Sequence, residues 1–309
     1  LFYKMEVSKI FRIEMIRDVI RSTHLYLLYE LFLLSMKITA AMLVAAVRMV
    51  IPPKPKNLLG ETVLITGAGH GIGRELAIQL GNLGCTIICW DTDNHELEST
   101  MNAVYNNGGK VREDVEKRRR IPDVSILINN AAVLYYSSFF YGSLNDIMPT
   151  FNVNVLSQVW TIDGFIRTMI RRKKGHIVSI NSMCGIYGLS GKVSYCVSKF
   201  AARGLMDGLR DEFRQDPRSA CIQFTTIYPF YVDTGLAKDP EYRFPYIFQV
   251  VSPEYAAKEI IKAIRRNYTE YAIPRCLLTL SAILRSESVI ASNLNIYLKN
   301  INNGVCGLT

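Results

Sequence analysis

Hydrophobic positions alternate with polar ones in two rhythms along most of the chain. Residues 62–65 (TVLI) form a short β-rich run, a glycine-dense turn follows, and 74–81 carry apolar residues at helical spacing. A second β-rich run occupies 85–90, and buried-strand runs recur at 125–133 (SILINNAAV), ending in a polar-then-small turn, and at 176–182 (HIVSINS). Runs of this length between turns predict buried strands, as in a parallel sheet covered on both faces. A helix is predicted from about Tyr195 through Gln215, and another over 253–266, with Ser252 as N-cap and Pro253 at its first position. Strands alternating with helices predict an α/β domain.

The first fifty residues follow a different pattern. Residues 25–51 (LYLLYELFLLSMKITAAMLVAAVRMVI) are apolar over a bilayer-compatible length, broken only by Glu30, Lys37 and Arg48. On a helix these three charges fall within about 20° of one line. A narrow polar stripe on an apolar helix suits an element at the membrane interface, or one that spans in company. Basic residues flank it on both sides, so they leave its orientation open. A cleaved signal peptide is disfavoured by the late start of the segment. Pro52, Pro53 and Pro55 end the helix and stiffen the linker. The organisation read from the sequence is therefore an N-terminal extension (1–24), a membrane-associated helix (25–51), a domain over 52–285 and a polar tail (286–309), expected to be disordered.

Composition refines this picture. The 309 residues suffice for one α/β domain with an appendage. A net charge of +9 invites a nucleic-acid reading, but the basic residues are scattered, and the clusters 117–120 and 171–174 read as solvated surface. No nucleic-acid partner is expected. The seven cysteines show no C-x-x-C pair, and their odd count and core-like contexts indicate free thiols in a reducing compartment. The four histidines lack ligand spacing, so no metal site is expected.

Two groups of residues carry chemistry. Gly67, Gly71 and Gly73 form G-x-x-x-G-x-G between strand and helix, where glycine lets a pyrophosphate approach the backbone at a positive helix N-terminus. Asp91 ends the second strand, at the distance expected of an acid that binds the adenosine ribose hydroxyls. Its charge would repel a 2′-phosphate, so NAD is the expected cofactor rather than NADP. Further along, Ser182 stands at the end of a buried strand, and Tyr195 and Lys199 are spaced to share a helix face. A lysine ammonium beside a phenol is expected to lower the tyrosine pKa from ~10, so that the phenolate can take an alcohol proton while Ser182 holds the reacting oxygen.

With these residues in view, the sequence resembles the short-chain dehydrogenase/reductases. The matching motifs are TGAGHGIG (66–73), NNAA (129–132, for the usual NNAG), NVLS (154–157), Ser182 with Tyr195-x-x-x-Lys199, and YPFYVDTG (228–235). The wording is nearest the membrane-attached branch of epidermal retinol dehydrogenases and microsomal 17-beta-hydroxysteroid dehydrogenases, over residues from about 53 to 280. The resemblance implies a Rossmann-type doubly wound parallel sheet behind the N-terminal membrane-interacting helix. It implies Ser182, Tyr195, Lys199 and Asn154 as catalytic residues, Asn154 holding a relay water. It implies Gly67, His70, Gly71, Ile72, Gly73, Asp91, Asn130, Ala131, Tyr195, Lys199, Pro229 and Thr234 around the cofactor. It also implies a homodimer and a place on the endoplasmic reticulum membrane or the lipid droplet, with the catalytic domain in the cytosol.

The expected function is NAD-dependent interconversion of an alcohol and a ketone or aldehyde on a lipophilic substrate of the retinol or hydroxysteroid class. An aromatic loop bearing Tyr242, Phe244, Tyr246 and Phe248 is expected to cover it. Two departures support an alternative, a membrane-associated homologue impaired in cofactor binding. Only REDVEKRRRIP (112–122) links the third strand to the fourth, too little for a crossover helix, which would leave one sheet face partly bare. Ala132 adds a methyl group where the family has glycine.

Overall fold

The computed structural model describes residues 2–112, 123–136, 139, 144–236 and 250–286, with backbone alone at 2–18, 20, 45, 46, 49, 50 and 282–286. The chain divides into two units, 1–54 and the rest. The 112–122 link (all but Arg112), the aromatic loop residues 242–248 and the tail beyond 286 lie outside the described residues.

In the first unit, helix α1 runs unbroken over Phe2–Val50. The extension and the apolar segment are thus one helix, because no glycine or proline interrupts residues 1–51 and Pro52 then stops it. Arg21–Val44, 24 residues, is long and apolar enough to cross a membrane. Its large apolar side chains face outward; Met42 and Leu43 are each 68% exposed.

The second unit is built on seven parallel strands: β1 (Thr62–Thr66), β2 (Thr86–Trp90), β3 (Lys110–Arg112), β4 (Ile126–Asn129), β5 (Gly175–Ile180), β6 (Ile222–Pro229) and β7 (Glu270–Ile273). Their order is β3-β2-β1-β4-β5-β6-β7, with β1 between β2 and β4. The strand order reverses there, and in open α/β sheets the crevice at that point receives ligand.

Alternate residues of each strand serve opposite faces. Val63, Ile65, Ile87, Ile126 and Ile128 pack with Leu76 and Leu80 of α2 (Gly71–Asn82), Leu97 of α3 (Asn94–Asn106) and Ile260 of α7 (Pro253–Arg265). Leu64, Ile88, Leu127 and Ile177 pack with Ile162 and Ile166 of α5 (Ser157–Arg171) and Met206 of α6 (Val193–Gln215). A short helix, α4 (Ile147–Phe151), leads through a π-helical turn (Asn152–Leu156) into α5, and α8 (Cys276–Ser286) follows β7. The caps obey the sequence: the Ser252 hydroxyl accepts the Tyr255 amide at the start of α7.

The sheet is continuous on both sides of the short link, with Ile87 opposite Val111 and Val63 opposite Ile126. Leu64 and Ile88, on the face where a bare patch was expected, are fully buried. Trp90 and Phe165 meet over that face, their ring centroids 6.0 Å apart, although Trp160 nearby is 64% exposed. All six described cysteines are free.

Candidate active site

The glycine turn after β1 is held by its neighbours. Gly67 and Gly71 adopt φ of 66° and 51°, the left-handed region that excludes most side chains. A Cβ on Gly73 would lie 2.0 Å from the Gly67 carbonyl oxygen, so glycine is required there by space alone. Asn130 donates through Nδ2 to the carbonyls of Thr66 (3.1 Å) and Gly67 (2.9 Å). The Thr66 hydroxyl in turn accepts the amides of Asn130 and Ala131. His70 occupies the N-cap of α2 without a side-chain cap, which leaves the helix N-terminus open to an anion. Its imidazole points instead toward Glu96, 3.6 Å away.

Asp91, just past β2, accepts the Gly69 amide at 2.7 Å and the Asp93 amide at 3.1 Å. The carboxylate is therefore fixed at the rim of the turn. A cleft of about 730 Å³ joins these parts, lined by Gly67, His70, Gly71, Ile72, Asp91, Asn130, Ala131, Ala132, Pro229 and Thr234, and by Ser182, Tyr195 and Lys199. Gly73 lies beneath the turn and Asn154 behind the wall; neither lines the cleft. A glycine cradle without Cβ atoms, an uncapped helix N-terminus and an acid at the rim fit a dinucleotide.

The catalytic candidates converge from two elements. Ser182 follows β5, its hydroxyl capping the turn Met183–Gly185 through the Cys184 amide. Asn181 braces this segment against α6 by donating to the Lys199 carbonyl at 3.0 Å. One turn apart on α6, Tyr195 and Lys199 are both buried, and the Ser182 hydroxyl is close enough to the Tyr195 phenol to favour its ionised form. Lys199 Nζ donates to the Ile180 carbonyl at 3.1 Å and lies 5.5 Å from the centre of the Tyr195 ring.

The electrostatics differ from the expectation at one point. Burial pushes the Tyr195 phenol above its ordinary value, and the Ser182 hydroxyl opposes this only in part. Burial likewise pushes Lys199 down to about 8. Lys199 was expected to loosen the phenolic proton; burial disfavours the charged form of both groups.

Asn154 is engaged through both its amide oxygen and its amide nitrogen. Its amide oxygen accepts the Val133 amide (2.8 Å), and its nitrogen donates to the Val133 carbonyl and the Ser198 hydroxyl (3.0 Å each). Gln158 donates to its main-chain carbonyl. The side chain thus ties the π-helical turn to the segment after β4 and to α6.

Several residues escaped the sequence reading. Cys184 and Cys196 touch Tyr195 and each other. Cys196 receives a hydrogen bond from the Cys184 thiol, which lowers it to about 7. Lys192, Tyr136 and Tyr231 form a group beside the cleft. Cys196, next to Tyr195 in sequence, could have been flagged by position; Lys192 sits in an irregular loop and gave no signal. The substrate side is apolar, with Leu134, Leu189, Phe230 and Leu236. Among the described residues no cluster could hold a metal ion.

An open doubly wound sheet carrying this serine, tyrosine and lysine beside a glycine cradle defines a nucleotide-dependent oxidoreductase. The chain belongs to the short-chain dehydrogenase family, whose model matches residues 61–242. It is 34% identical to estradiol 17-beta-dehydrogenase 11 of Pongo abelii, over 84% of this chain and 90% of that protein. It is 32% identical to epidermal retinol dehydrogenase 2 of Homo sapiens, over 80% of this chain and 85% of that protein. In fold it is similar to a short chain dehydrogenase/reductase from Burkholderia phymatum in complex with NAD, with a TM-score of 0.65 and 21% identity over 75% of this chain and 95% of that one.

Proposed function

We propose that this protein is an NAD-dependent oxidoreductase that interconverts an alcohol and a carbonyl on a lipophilic substrate of the retinol or hydroxysteroid class. The observation that carries the reading is the convergence of Ser182, Tyr195 and Lys199 on one cleft shared with the glycine turn. When bound, the dinucleotide would supply the hydride acceptor or donor. The open N-terminus of α2 would hold its pyrophosphate, Asp91 its adenosine ribose, Lys199 its nicotinamide ribose, and Pro229 and Thr234 would flank the nicotinamide.

Ser182 would hold the reacting oxygen, and Tyr195 would give it a proton in reduction or take one in oxidation. Leu134, Leu189 and Phe230 would exclude water around an apolar substrate. The outward-facing apolar stretch Arg21–Val44 supports attachment to a membrane. That the membrane is the endoplasmic reticulum, and that two chains pair, rests on the resemblance. The test is turnover by membranes carrying the full chain, given retinol or a 17-beta-hydroxysteroid with NAD or NADP. Turnover of at least one alcohol, faster with NAD, is expected; turnover of neither opposes the reading.

A further inference from the structure

Lys192 is a buried lysine with no carboxylate paired to it among the described residues. It is 6% exposed, and its ammonium donates to the Tyr231 hydroxyl at 2.6 Å. It lies 4.9 and 4.8 Å from the ring centres of Tyr136 and Tyr231. An ammonium has three donor hydrogens, and Tyr231 uses one. Two aromatic faces replace part of the lost hydration, but a buried charge remains costly until an anion joins it. Two thiols, Cys184 and Cys196, lie close enough to feel its charge, but only Cys184 lines the cleft.

Lys192 lines the same cleft as Ser182 and Tyr195, at the N-cap of the helix that carries Tyr195. Lys192 lies three positions before Tyr195, and both side chains open onto this cleft. Leu134, Leu189, Phe230 and Leu236 of the same wall are apolar, so among the described residues there Lys192 is the side chain that selects for charge.

We propose that Lys192 is a specificity-determining residue that receives a carboxylate on the substrate, a few carbons from the reacting carbon. The favoured substrates are then lipophilic hydroxy or oxo acids. This rests on the oxidoreductase reading and narrows its substrate class. The carboxylate would take no part in the redox step itself; the ion pair would only orient the chain.

The experiment compares kcat/KM for 3-hydroxyhexadecanoate and for 2-pentadecanol, the same molecule without its carboxylate, using the full-length protein and NAD. The wild type is expected to favour the acid by about tenfold or more, as a charge-assisted contact allows. Lys192→Leu should bring the ratio close to one, and Lys192→Arg should keep most of it. A wild-type ratio near one, or a ratio unchanged in Lys192→Leu, overturns the proposal. So does an equal loss on both substrates, which marks Lys192 as a mere prop for Tyr231. The wild-type ratio decides even if Lys192→Leu fails to fold. If the wild type oxidises neither probe, nor retinol, nor a hydroxysteroid, the underlying reading fails instead.

Discussion

The Asp91 carboxylate accepts the Gly69 main-chain amide at 2.7 Å, so the acid at the end of β2 is locked onto the glycine turn that it faces. A Cβ on Gly69 would sit 3.0 Å from the same oxygen, which shows how closely the two segments meet. A fixed negative charge at this rim attracts ribose hydroxyls and repels a phosphate in their place. Asp91→Ala should therefore lower the NAD-to-NADP ratio of kcat/KM by at least about tenfold, close to 1.4 kcal/mol. The ratio is read from initial rates with each cofactor, and a ratio equal to the wild type removes Asp91 from cofactor selection.

At the opposite end of β5, His176 is wholly buried, with Lys56 Nζ 2.9 Å from its Nδ1 and the Thr225 hydroxyl 2.8 Å from its Nε2. Burial, helped by the Lys56 charge, holds its pKa well below 6.5. The unfolded chain takes up a proton near 6.5 that the folded chain refuses, so stability is retained above that pH and lost as the pH falls below it. Thermal denaturation should show this acid limb, up to about 1.4 kcal/mol per pH unit for one proton. His176→Gln should flatten it, and an acid limb of unchanged slope in that variant contradicts the assignment.

Removing the residues before Pro52 takes away the outward-facing apolar surface of α1. The shortened protein should stay in the supernatant when membranes are pelleted, while the full chain sediments with them. Sedimentation of the shortened form would locate the attachment elsewhere.

The parts of the site that depend on local spacing were legible in the sequence. Tyr195 and Lys199 share a helix face because they are four residues apart, and Ser182 ends a strand because an apolar run delivers it there. The glycine turn and Asp91 followed from their distance along one β-α-β unit. What depends on tertiary burial was not legible. The upward shift of Tyr195 arises from desolvation, which no motif encodes, and the engagement of the Asn154 side chain with Val133 and Ser198 joins segments distant in sequence. Lys192 stayed hidden for the same reason: its two tyrosines come from the loops after β4 and β6. The short link after β3 suggested a damaged sheet, yet the register on either side is intact, because parallel pairing of β2 with β3 and of β1 with β4 needs no contribution from the connection itself.

The most direct test of the account is Tyr195→Phe in the full-length protein, with alcohol-dependent reduction of NAD followed beside the thermal shift that NAD itself produces. The variant should lose turnover by about a hundredfold or more while NAD still stabilises it as it does the wild type. Turnover at the wild-type rate in Tyr195→Phe would contradict the proton-transfer role, and the absence of any NAD-induced shift in the wild type would contradict the cofactor site.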